Sequence, residues 1–242
     1  MKVKPRGSYG IDAAYVPILW FIPGVMFASA TLGALGGSAW QPIVYGLLTI
    51  QFLGGTAIYL HTTLRGKFAV WRRILSETDD ADVERILDLG CGRGAVIVMA
   101  AQRFPEAKLT GIDLWRKSDQ SGNGEEAATA NAKANGVDSR IDFVTGDMTK
   151  LPFEDGSFDL ITASMSIHNI PKAERRARAI REAVRVLKPG GRIVIADLKA
   201  MDEYADELSK LGLKVEGPKS LGWQVWWSGP WVSSKMLRAA AE

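Results

Sequence analysis

The sequence predicts an α/β protein: a doubly wound, mostly parallel sheet with an antiparallel last strand, preceded by a two-helix transmembrane hairpin. Three observations carry that expectation. Residues 13–64 contain no Asp, Glu, Lys or Arg. From residue 85 onward, short apolar strands alternate with helical patterns, as a parallel sheet covered by helices requires. The first of those strands runs into the glycine-rich turn "GCGRG" (90–94), and the second ends on an acid, Asp113.

Composition bounds the rest. At 242 residues the chain is long enough for one well-buried domain plus an additional element. A net charge of +3 argues against an extended nucleic-acid surface. The charge is uneven: residues 1–65 hold Lys2, Lys4, Arg6 and Arg65 but a single acid, Asp12. One cysteine, Cys91, rules out an internal disulfide framework. With His61 and His168 far apart, no metal-ligand spacing is present, and no metal is expected.

The uncharged run splits at "GGSAWQP" (36–42), where Gly, Ser and Pro mark a turn. Each half, 13–35 and 42–64, reaches the roughly 20 apolar residues needed to cross a bilayer. Neither carries the polar stripe of a soluble helix. Pro17 and Pro23 are tolerated in a spanning helix. Trp20, Trp40, Tyr45 and Tyr59 fall toward the ends, where interfacial aromatics belong. Basic residues flank both outer ends: Lys2, Lys4 and Arg6 before, then Arg65, Lys67, Arg72 and Arg73 after. By the positive-inside rule both termini and the second half are cytoplasmic. Residues 1–12 then form a basic N-terminus. The segment 65–80, with "RGKFAVWRRIL", reads as a basic juxtamembrane helix or linker of interfacial type. Two readings compete with the hairpin: a signal peptide, since "ASA" (28–30) imitates a cleavage site, and an apolar helical cap on a soluble enzyme.

In the second half, residues 81–242, "RILDLG" (85–90) is the first strand, followed by an apolar helix from about 95. "KLTGID" (108–113) is the second strand, and "EEAATANAKANG" (125–136) a helix closed by Gly136. "IDFVTGD" (141–147) and "FDLITAS" (158–164) are the third and fourth strands. In 172–187, Ala173, Ala177, Ile180, Val184 and Leu187 form one helical face. "GGRIVIAD" (190–197) is the fifth strand. A helix over 202–212 precedes two closing strands, 213–217 and 231–239, with "WQVWWSGPW" (223–231) in their connection. Pro230 supports an edge position, because proline cannot donate to a central ladder.

The glycine turn carries the first chemistry. Gly90, Gly92 and Gly94 let backbone approach a ligand, and the next helix presents its N–H groups there. Asp113 is placed to accept hydrogen bonds from ribose hydroxyls. A dinucleotide-binding domain would offer nearly the same pair of features. The phrases "LDLGCGRG", "GDMTKLPFEDGSFDLI" and "RVLKPGGRIVIAD" go further. Together, over roughly residues 84–200, they resemble class I S-adenosylmethionine-dependent methyltransferases. "LPFEDGSFDLITASMSIHNI…AVRVLKPGGRIVIADL" looks most like the ubiquinone/menaquinone-biosynthesis C-methyltransferase group.

That resemblance implies the class I Rossmann-like fold and S-adenosylmethionine as cofactor. By position it implies that Asp88, Gly90, Cys91 and Gly92 border the methionine moiety, with Asp88 near its ammonium. Gly94 closes the glycine turn. Asp113 would hold the ribose, with Leu114 beside the adenine. Asp147 would meet the adenine amino group, Met148 would pack on the ring, and Ala163 and Ser164 would lie near the sulfonium. Two departures stand out. "LWRKSDQSGNGEE" (114–126) is longer and more polar than the usual entry into a helix, so Asp119, Gln120, Ser121 and Asn123 become candidates to close over the cofactor. The quinone group is also largely without a transmembrane hairpin.

Methyl transfer from a sulfonium needs alignment and a dry site more than an elaborate triad. His168, in the loop after the fourth strand, is the candidate base for a phenol or enol acceptor, with a structural histidine as the alternative. The hairpin points to a hydrophobic acceptor that resides in a bilayer: a quinone, a phenol or a lipid. Arg175, Arg178, Arg181 and Arg185 share one helix face that is either solvated or turned to anionic lipid. Trp223, Trp226 and Trp227 are expected to face the acceptor entrance or bilayer, and Trp231 the core. A membrane-anchored cofactor-binding adaptor without turnover, a methyltransferase acting on phospholipid head groups and a nicotinamide-dependent reductase remain as alternatives.

Overall fold

The computed structural model describes residues 4–78 and 83–241. Lys2, and residues 79 and 80 of the expected linker, lie outside them.

After a strap over residues 4–14, α1 (Tyr15–Gly33) and α2 (Trp40–His61) form an antiparallel pair. A series of rings joins them: Trp20 on Phe52, Phe52 on Phe27 and Phe27 on Tyr45, with centroids 5.4, 5.6 and 6.4 Å apart. Glycine sets their separation, since a Cβ at Gly24 would lie 2.5 Å from Leu53 Cδ2. The outward surfaces are bare. Leu19, Met26, Leu32, Leu47 and Ile50 are each more than half exposed. Both helices are long and apolar enough to cross a membrane.

The second helix does not end at the junction. It passes through a single π-turn, Thr62–Gly66, straight into α3 (Lys67–Ser76). Here the structure corrects the interfacial reading of "RGKFAVWRRIL". Phe68, Trp71, Ile74 and Leu75 repeat at helical spacing, and that face is buried in the core of the sheet domain. The strap is buried with it: Tyr9 is 2% exposed and meets Phe68 edge-on at 5.3 Å.

The remaining chain alternates as expected: β1 (Arg85–Leu89), α4 (Ala95–Arg103), β2 (Lys108–Asp113), α5 (Glu125–Ala134), β3 (Ile141–Thr145), β4 (Phe158–Ser164), α6 (Ala173–Val186), β5 (Leu187–Asp197), α7 (Met201–Lys210), β6 (Lys214–Ser220) and β7 (Lys235–Ala240). The seven strands lie in the order β3-β2-β1-β4-β5-β7-β6, with β7 antiparallel to both neighbours. One core packs α3 and α4 against the sheet, and a second packs α6 and α7 on its other face. Strand order reverses between β1 and β4, so the ligand crevice of such a sheet opens at their C-terminal ends.

Two expectations about the closing elements change. The last strand begins at Lys235, because Ser228 (φ +79°), Gly229 and Pro230 turn the chain ahead of it. Trp231 is therefore on the turn, 58% exposed, and not in the core, whereas Trp227 is buried. Three of the four arginines on that face of α6 are also paired within the domain, and Arg178 is exposed. Arg175 pairs with Asp147, Arg181 with Glu207, and Arg185 with both Glu182 and Asp155, which leaves little free charge for a lipid surface.

Candidate functional site

At the C-terminal ends of β1 and β4 lies a cleft that opens to solvent, with about 1130 Å³ of empty space that extends out into that opening. Its floor is the glycine turn. Gly90, Gly92 and Gly94 all have positive φ, and a Cβ at Gly90 would sit 2.3 Å from that of Ser166. Only glycine permits this backbone to pass so close beneath a ligand.

Three of the carboxylates that border the space are those singled out in the motifs. Asp88 is 1% exposed and accepts a hydrogen bond from the Thr162 hydroxyl at 2.7 Å. Burial pushes its carboxyl up to about 7. Asp113 accepts from the backbone N–H of Gly92 at 2.8 Å and of Trp115 at 2.6 Å, one on each oxygen. Each oxygen keeps a lone pair for a ligand hydroxyl. Burial raises its carboxyl too, against the lowering effect of those two N–H groups. Partial burial acts the same way on Asp147, but hydrogen bonds from Thr149 and the charge of Arg175 hold that carboxyl below its ordinary value.

Of the residues expected from sequence, Asp88, Gly90, Cys91, Gly92, Asp113, Leu114, Asp147, Met148 and Ser164 border this cleft. Gly94 and Ala163 do not. Gly94 caps α4, and Ala163 is buried within β4. Burial pushes the Cys91 thiol well above its ordinary range, which suits a packing residue and not a nucleophile. Asp119, Gln120 and Asn123 of the polar loop line the cleft, while the Ser121 hydroxyl accepts from the Ile11 N–H in the strap.

His168 is turned elsewhere. Its Nδ1 pairs with buried Asp197, whose other oxygen accepts the His168 backbone N–H at 3.1 Å, and it does not border the cleft. Its position in the loop suggested a base or a structural histidine, and the buried carboxylate that ends β5 holds the Nδ1 side of the ring.

The first quarter of the chain supplies a wall that motif reasoning missed. Asp12, Lys67, Phe68 and Trp71 all border the cleft. Lys67 Nζ donates to both Asp12 oxygens, at 3.0 and 2.7 Å. Thr63 donates to Asp12 at 2.7 Å and Gln120 Nε2 at 2.9 Å. Gln120 Oε1 in turn accepts the Arg93 backbone N–H at 3.0 Å. Asp12 thus ties the end of the hairpin, the polar loop and the glycine turn together. Trp71 reaches further, donating its indole N–H to the Ser164 hydroxyl at 2.7 Å. The one available signal was that Asp12 is the sole acid of the first 65 residues.

The donor set fits S-adenosylmethionine. A buried carboxylate suits an ammonium, a carboxylate with open lone pairs suits a ribose diol, and a glycine cradle admits the methionine chain. Asn123 adds a buried Oδ1 with no protein partner, free to accept from a ligand.

Comparison with known proteins agrees. Residues 87–195 match the family described as a methyltransferase domain. The chain is 34% identical over 118 residues to a ubiquinone/menaquinone biosynthesis C-methyltransferase of Dinoroseobacter shibae, covering 49% of this chain and 44% of that one. It is 37% identical over 114 residues to the 27-O-demethylrifamycin SV methyltransferase of Amycolatopsis mediterranei, covering 47% and 38%. The matches span about half or less of these relatives' lengths. Among solved structures, a SAM-dependent methyltransferase from Aquifex aeolicus superposes with TM-score 0.55 at 17% identity, covering 71% of this chain and 89% of that one. The [4+2]-cyclase SpnF superposes with TM-score 0.59 at 20% identity, covering 72% and 81%. These likenesses establish the class I methyltransferase fold, and the matched domain indicates S-adenosylmethionine as its cofactor.

Proposed function

We propose that this chain is a membrane-anchored methyltransferase that moves a methyl group from S-adenosylmethionine to a hydrophobic small-molecule or lipid-like acceptor, such as a quinone or phenol. The observation that carries the reading is the continuity of α2, the π-turn and α3. An uncharged helix with a bare apolar surface runs without interruption into a wall of the cofactor cleft. In this reading α1 and α2 span the bilayer, with both termini and the sheet domain on the cytoplasmic side. The small-molecule acceptors named for the relatives agree with the acceptor class.

When bound, S-adenosylmethionine supplies a methyl group already activated on a sulfonium. The chain's residues align and enclose it. Asp88 would take the ammonium and Asp113 the ribose hydroxyls, and Leu114 and Met148 would flank the adenine, with Asp147 at its amino edge. Ser164, fixed by the Trp71 indole, sits at the end of β4 where the acceptor must approach in line. Alignment of this kind is worth roughly 7–11 kcal/mol of barrier. Phe68, Trp71, Met148 and Met165 keep the space dry. Among the described residues no histidine or tyrosine borders the cleft.

A second reading is an anchored S-adenosylmethionine-binding adaptor without turnover. Methyl-labelled S-adenosylmethionine, incubated with the reconstituted protein and lipid or quinone extracts, separates the two. Label in an extractable hydrophobic product is expected. No labelled product from any extract would leave the adaptor.

A further inference from the structure

The tryptophan-rich connection between β6 and β7 descends along the hairpin. Gln224 lies against Gly66, where an added Cβ would meet the Gln224 carbonyl oxygen at 1.7 Å. The Thr62 hydroxyl donates to the Trp226 carbonyl. Trp227 meets Tyr59 edge-on, with centroids 5.2 Å apart. The Ser228 carbonyl lies 3.2 Å from a Cβ built at Gly55, within α2. Each step forward along the loop is a step back down the helix, and the whole descent covers about 16 Å at the ordinary helical rise. At Gly55 the loop is inside the uncharged run, beside the Trp20 ring of α1.

The loop is built for an apolar neighbour. From Leu221 to Ser234 it carries no charged residue. Trp227 is its fixed post, buried and donating its indole N–H to the Ser234 hydroxyl at 2.9 Å. The Trp227 N–H donates to the Val232 carbonyl at 2.7 Å and closes a tight tip over residues 228–231. Trp231 and Trp223 project outward, 58% and 59% exposed, and Trp223 stacks on His61 at the end of α2. Two large indoles are thus held open beside the bare surface of the hairpin, where a water-facing loop would present polar groups.

We propose that the tip led by Trp231 inserts into the headgroup–acyl boundary of a phospholipid bilayer, making a third membrane contact beside α1 and α2. The inference rests on the bilayer reading of the hairpin. Indoles favour that boundary, and the tip lies against α2 inside its uncharged run. The contact reaches the cleft, because the Ser234 hydroxyl donates to the Met165 sulfur at 3.4 Å, and Met165 is part of the cleft wall. The foot therefore fixes the tilt of the sheet domain and orients its cleft toward the lipid.

Nitroxide labels at Trp231→Cys, Met26→Cys and Glu216→Cys test this in phosphatidylcholine nanodiscs, with the unsubstituted chain as blank because Cys91 is buried. Relaxation by oxygen and by a nickel chelate reports depth. Position 26 is expected to favour oxygen strongly, position 231 to favour it several-fold, and position 216 to favour nickel. Position 231 behaving like 216 while 26 lies in the bilayer would overturn the foot alone. Position 26 behaving like 216 would overturn the hairpin and the foot together. In unlabelled protein, brominated lipid should quench Trp231→Phe measurably less than the parent chain. Equal quenching would also count against insertion.

Discussion

Asp88 shows how a single residue trades stability for binding. Its carboxyl is buried and raised to about 7 from 3.8. A carboxyl raised on folding binds its proton more tightly in the folded state. Its favourable contribution is complete below about pH 4 and is lost as pH rises through about 7. Asp88→Asn should therefore raise the thermal midpoint of the free protein, with a gain that grows between pH 5 and pH 8. The same change should weaken S-adenosylmethionine binding by at least about tenfold, the scale of a lost charge-assisted hydrogen bond. A midpoint difference that does not vary with pH would contradict the assignment. The places of Asp88 and Asp113 beside the cleft were legible in sequence, Asp113 from its strand end and Asp88 from the motif that carries the family resemblance. His168 stayed open in sequence between a base and a structural histidine, because nothing local announces that Asp197 takes its Nδ1. Only the parallel pairing of β4 and β5 brings the two together.

At the scale of elements, the strands were legible because buried parallel strands are continuous apolar runs bounded by turns. Helix α3 was not. An apolar face flanked by Arg and Lys looks the same whether it meets lipid or a sheet, and tertiary packing alone decides. The π-turn that aims α3 left no local signal either, and it depends on one small residue. Gly66 has ordinary helical angles, φ −59° and ψ −48°, so helix propensity alone favours alanine there by about 1 kcal/mol. The contact with the Gln224 carbonyl reverses that sign, because backbone faces backbone. Gly66→Ala should lower the thermal midpoint by several degrees, the overpacking cost being about 1–3 kcal/mol beyond the propensity gain. A raised midpoint would show that the loop does not hold to the helix as described.

In the whole molecule, the first quarter and the sheet domain are one machine. Sequence separated them because their compositions differ so sharply, yet Asp12 joins Lys67, Thr63 and Gln120 at the mouth of the cleft. Composition reports what each segment is dissolved in. It does not report that a strap ahead of the hairpin folds back over residues 119–121. The central claim is that this cleft is an S-adenosylmethionine site completed by the segment leading into the hairpin. Calorimetry of the full chain in nanodiscs tests it most directly, using S-adenosylmethionine, its demethylated product and NAD against the parent chain and Asp12→Ala. The account predicts one site per chain for S-adenosylmethionine and its product, no heat with NAD, and affinity weakened several-fold by Asp12→Ala. Binding of NAD in preference, or no binding of S-adenosylmethionine by the folded parent chain, would contradict it.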